Sequence, residues 1–144
     1  MAGRTQNTAA LVLRLYKGED ASGFAATWVS LFTTNPVTDI NGLLIATEWG
    51  PARNQIFGNS GLGAPFWSDP VAADSFKQRI SNVGSIQWNS ITLSTSPNSV
   101  VGFGLWDAQV GGNLISWGPL DDPVPVADGQ DFVLGSGVVK VEAD

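Results

Sequence analysis

Apolar and polar positions follow two different rhythms along this chain. Near the N-terminus Leu11, Val12 and Leu15 recur at three- and four-residue spacing behind Asn7 and Thr8, both good N-cap residues, and the run ends at Gly18. That spacing predicts one short α-helix over residues 8–17. About ten residues are too few for a helix to stand alone, so its Leu11 and Leu15 face should lie against the rest of the domain or a neighbouring subunit. Downstream the character changes to strand. The run Thr27-Trp28-Val29-Ser30-Leu31-Phe32-Thr33 is rich in β-branched and aromatic residues and stops at Asn35-Pro36, where proline cannot donate to a ladder. Between residues 37 and 49, Leu43-Leu44-Ile45-Ala46 fits a helical turn or a short buried strand equally well. Residues 58–70 are rich in glycine and proline around Phe66 and Trp67 and read as loop.

The most informative stretch lies in the last third. Gly102-Phe103-Gly104-Leu105-Trp106-Asp107 and Leu114-Ile115-Ser116-Trp117-Gly118 are joined through Gly111-Gly112-Asn113. Glycine and asparagine tolerate the positive φ of hairpin turns, so the two runs read as a β-hairpin. Further strands are expected over residues 76–82, 85–93, 99–107, 113–120, 123–127, 131–134 and 137–142. In the last of these, Val139 and Val141 alternate with Lys140 and Glu142, as in a strand with one wet face. Short strands at near-regular spacing favour an antiparallel sandwich or barrel. The expected fold is mainly β, an antiparallel, jelly-roll-like β-sandwich with one N-terminal helix, in a single domain spanning residues 1–144.

Composition narrows the chemistry. The chain has no cysteine and no histidine, which removes thiolate chemistry, the commonest metal ligand and the usual base of a Ser-His-Asp triad. Seven Lys and Arg stand against thirteen Asp and Glu, a net charge of −6. That balance opposes general affinity for nucleic acid or an anionic membrane. No apolar run approaches the ~20 residues of a membrane span, and the first residues lack the layout of a signal peptide. Synthesis in a cytoplasm without a secretory leader is expected. Trp28, Trp88, Trp106 and Trp117 sit in apolar runs almost free of charge, where core packing is the better account.

Several residue groups are of types that can carry chemistry. Asp121, Asp122, Asp128 and Asp131 cluster, but without the ligand alternation of a calcium loop, and two turns explain them better. Glu48 with Asp107 or Asp74 could form a carboxylate pair, though nothing selects them. Gly58 to Gly63 is glycine-rich but holds no Gly-Lys-Ser/Thr motif. Arg53 and Arg79 stand in otherwise uncharged segments, where an ion pair with a carboxylate at a surface or subunit contact is expected rather than catalysis. No catalytic residue, cofactor or metal ligand is assigned. Leu11, Leu15, Phe66 and Trp67 are the candidate partner contacts, because apolar and aromatic anchors dominate interfaces.

Taken together, the 7–11 segment, the strand from Trp28 to Pro36, Glu48 through Arg53, and the Gly102–Leu114 block with Gly118-Pro119-Leu120 and the Val126–Gln130 turn carry a resemblance. The chain resembles a family of small tailed-bacteriophage virion proteins, variously labelled tail fibre, minor tail or head decoration proteins. The segment between Asn54 and Asp74 departs from that pattern. The resemblance implies a non-enzymatic structural protein of the virion and carries no catalytic residues across.

A compact domain without heptads or collagen-like repeats suits a clamp better than a fibre shaft. The expected role is therefore a decoration or cement protein on the major capsid protein, self-associating as a trimer or other small ring. The alternatives are a tail, neck or fibre-associated component, or a carbohydrate-binding module using exposed Trp49 and Trp67.

Overall fold

β-branched and aromatic runs separated by glycine, proline and asparagine set the architecture, which the computed structural model describes for residues 3–4, 27–38, 44–45, 48–49, 52–58, 60–74, 77–92 and 98–143. Thirteen strands lie among them: β1 (Gly3–Arg4), β2 (Thr27–Phe32), β3 (Val37–Thr38), β4 (Leu44–Ile45), β5 (Asn54–Ile56), β6 (Phe66–Trp67) and β7 (Val71–Asp74), then β8 (Lys77–Val83), β9 (Ile86–Trp88), β10 (Asn98–Trp106), β11 (Leu114–Val126), β12 (Phe132–Leu134) and β13 (Lys140–Ala143). The fold is mainly β with antiparallel sheets, and no helix occurs among the described residues. The helix expected over 8–17, with Leu11 and Leu15, lies outside the described residues.

The largest sheet runs β1-β11-β10-β2-β5. Its centre is the hairpin read from the sequence, with Phe103 opposite Gly118 and Trp106 opposite Leu114, and β2 pairs on the other side of β10 with Leu31 opposite Phe103. One expectation is corrected here. The two strands expected over 113–120 and 123–127, with an Asp-Pro turn between them, are one strand, Leu114–Val126. Val100 pairs with Val124 and Gly102 with Pro119, so Leu120 to Pro123 stand opposite Val101 alone and bulge outward. A proline-bearing bulge removes ladder hydrogen bonds without ending the strand. It also shifts the side-chain alternation, so Val100 joins Phe103 and Leu105 in one core cluster.

Smaller sheets complete the domain. β12 pairs with β9, and β13, β6 and β7 all pair with β8. The ambiguous segment after Pro36 is strand: β3 and β4 form a short antiparallel pair. The core gathers Val29, Leu31 and Ile56 from the large sheet with Ile86, Trp88, Phe132 and Leu134 from β9 and β12, and Val139 from just before β13. Trp88 and Phe132 contact at a ring-centroid distance of 6.0 Å. Val139 is fully buried and Val141 packs on the core, whereas Lys140 is exposed, as the alternation required.

The second face of the large sheet is buried as well, through Ser30, Phe32 and Leu114. Gly104 lies beneath Phe32 there. A Cβ on Gly104 would stand 2.7 Å from the ring of Phe32, a side chain with no exposed surface. Glycine is the residue that lets the ring lie flat on the neighbouring strand.

Candidate functional site

The chemistry-bearing side chains converge at the loop end of the β10–β11 hairpin. Gly111 and Gly112 take φ of 65° and 70°, a left-handed pair that closes the loop. Asp107 anchors its ends, accepting from the Asn113 backbone N–H at 2.7 Å and from Asn113 Nδ2 at 2.9 Å. Burial alone would raise the Asp107 carboxyl. The hydrogen bonds from Asn113 and its own backbone N–H, with the nearby Arg53 charge, outweigh it and hold the pKa below its ordinary value.

Arg53, just before β5, ties this loop to the sheet. Its Nη1 donates to the carbonyls of Ala108 and Gly111, each at 2.6 Å. Its Nε and Nη2 grip the two oxygens of Glu48 at 2.5 and 2.7 Å. The guanidinium also lies on the Trp106 ring, whose Nε1 donates to Ser30 Oγ at 2.7 Å. The side chain of Arg53 is 6% exposed, and that of Glu48 is 33% exposed. The cation faces inward and the anion outward.

Arg79 pairs with Glu142 across the β8–β13 ladder. Both arginines thus meet carboxylates, as expected of isolated cations. Their pairing is a structural use of charge, and an Asp107 held in its charged form is the reverse of what a general acid requires. Asp74 is the last residue of β7. Asp131 accepts from the Ser90 backbone N–H at 2.7 Å, while Asp121 and Asp122 stand on the exposed bulge. No group of three acids placed to hold a metal ion occurs among the described residues.

Of the four expected contact residues, Leu11 and Leu15 lie outside the described residues. Phe66 and Trp67 are not loop but strand β6, Phe66 opposite Val83 and Trp67 opposite Asn82. Proline and glycine around them do not prevent pairing, and β6 is also tied to Phe57: the Phe57 N–H donates to the Pro65 carbonyl and the Trp67 N–H to the Phe57 carbonyl, each at 2.9 Å. Trp67 packs on the core, as does Trp49, and both remain partly exposed.

One buried group had no counterpart in the sequence reading. Asn82 on β8 is 1% exposed. Its Nδ2 donates to the carbonyls of Gly84 and Gly135, and its Oδ1 accepts from the Val139 N–H at 2.9 Å. The available signal was a polar residue at an inward position of a strand, two after Ile80.

The family comparison decides what this arrangement belongs to. The model of one family, described as podophage GP4 fiber I protein gp80, matches residues 4–142. This chain belongs to that family. A fibre-protein family makes it a structural protein of the bacteriophage virion. Comparison with curated proteins finds no match. The range matched by the gp80 family includes Asn54 to Asp74, the segment that departs from the expected pattern.

Proposed function

We propose that this gp80-family chain is a non-enzymatic component of the podophage tail-fibre assembly, built on a β-sandwich, and not a cement protein on the head. The observation that carries the reading is the match to a fibre-protein family over residues 4–142. The geometry is consistent with it. Arg53, Arg79, Glu48, Glu142 and Asp107 are engaged in holding strands and a loop. A protein that works by presenting fixed surfaces to neighbours needs such internal ties more than a reactive group. Within the fibre, copies associate in a small closed ring, the usual outcome for self-contacting domains.

The test is co-sedimentation of the purified protein with isolated tails and with heads that lack it. Saturable binding to tails, with none to heads, is expected. Saturable binding to heads alone overturns the fibre reading and restores the capsid-decoration role.

A further inference from the structure

Beside the hairpin tip lies a cleft of about 220 Å³ walled by Glu48, Trp49, Arg53, Gln109 and Val110. We infer that this cleft receives a lysine or arginine side chain from a partner protein, with the aliphatic stem against Val110 and Trp49 and the cationic head on the Glu48 carboxylate.

Three observations carry this. Glu48 is the outward half of its ion pair with Arg53. Arg53 donates one hydrogen bond to each Glu48 oxygen, and a carboxylate offers about four acceptor positions, so among the described residues about two remain for a second donor. The surrounding charge favours a cation: Glu48 lies in the wall itself, and Asp107, outside the cleft but near enough to feel the Arg53 charge, adds a second carboxylate against the one guanidinium. The walls are also fixed in advance. Val110 is 86% exposed, yet the loop carrying it is clamped at the carbonyls of Ala108 and Gly111 by a buried arginine. A preformed apolar wall beside an exposed anion suits a side chain with an apolar stem and a charged end. The inference rests on the fibre reading for the identity of the partner as a neighbouring virion protein, but its chemistry stands on the cleft itself.

The test uses the full chain, isotope-labelled, titrated with the blocked tripeptide Gly-Arg-Gly and with Gly-Gln-Gly as the neutral control. At low ionic strength the arginine peptide should shift the Val110 and Gly111 amides saturably, and the glutamine peptide should bind at least about tenfold more weakly. Raising the salt to about 0.5 M should weaken the arginine peptide several-fold. Val110→Lys changes a solvent-exposed side chain outside the Arg53 clamp and places the protein's own cation over the cleft. It should abolish the shifts at unchanged thermal stability. Equal responses to the two peptides, no response to either, or full binding by Val110→Lys overturns the inference. The tail co-sedimentation above decides the fibre reading separately, so either can fail while the other stands.

Discussion

The guanidinium carbon of Arg53 stands 3.7 Å from the centre of the Trp106 ring. Through this stack, one side chain at the start of β5 joins the central hairpin, the Ala108–Gly111 loop and Glu48. Removing it strands several partners at once: the Glu48 carboxylate loses its cation and two loop carbonyls lose their donor. Arg53→Ala should cost about 3 kcal/mol of unfolding free energy, as breaking a largely buried pair does. Arg53→Lys should recover part of that, because a lysine keeps the charge but not the fork. Urea unfolding of the three proteins checks the order. A lysine variant as stable as the parent would mean that charge alone, and not the planar stack, holds the loop.

Asp107 makes the same region sensitive to acid. Its carboxyl is held below the ordinary value in the folded protein. The unfolded chain therefore binds a proton at a higher pH than the folded one, and between those values stability falls as pH falls. The contribution is present above the ordinary carboxylate pKa of about 4 and is lost as pH drops through the lowered folded value. Asp107→Asn removes this titration. The variant should be less stable than the parent at neutral pH, and the gap should narrow toward about pH 2.5, below the ordinary range. Denaturant midpoints at the two pH values measure it. A gap that does not change with pH would show that the carboxylate charge contributes nothing to the loop.

Much of this architecture was legible where local chemistry and alternation agreed. Glycine, glycine and asparagine between two aromatic-bearing runs specified the hairpin, and Val139 and Val141 against Lys140 and Glu142 specified which face of the last strand is wet. Asp121-Asp122-Pro123 misled because turn chemistry and a bulge use the same residues. Only the resumed pairing of Val100 with Val124 tells them apart. The arginines were legible as halves of ion pairs but not by partner. Glu48 lies five residues from Arg53, whereas Glu142 lies 63 from Arg79 and is brought opposite by the β8–β13 register. Phe66 and Trp67 could not be separated in advance, since the inward residue of a two-residue strand is set by its neighbour β8.

Gly104 tests how tightly the second face of the large sheet is packed. Gly104→Ala puts a methyl group 2.7 Å from the Phe32 ring, and Phe32 has no exposed surface into which to move. Overpacking of this kind costs about 1–3 kcal/mol. The double variant Gly104→Ala with Phe32→Leu should lose less than the two single changes added together, because the smaller side chain makes room. Thermal melts of all four proteins give the coupling. Simple additivity would mean that the ring and the glycine do not constrain each other.

Asn82 joins two chain segments that no short-range pattern connects. Its Oδ1 accepts from the Val139 N–H, 57 residues away, while its backbone N–H donates to the Val139 carbonyl at 3.1 Å. Its Nδ2 meanwhile serves Gly84 and Gly135. Asn82→Ala removes the amide and leaves one donor and two acceptors buried without it, at a cost of about 2–4 kcal/mol. Asn82→Asp should be worse than the alanine, because a buried carboxylate would face the two carbonyls that Nδ2 now satisfies. The loss should be local before it is global: the Val139 amide should exchange with solvent faster in Asn82→Ala than overall destabilisation accounts for, while Leu105 on the large sheet follows the global value. Hydrogen exchange under native conditions separates the two. Equal acceleration at Val139 and Leu105 would show that Asn82 acts through the whole core and not through the 135–139 turn.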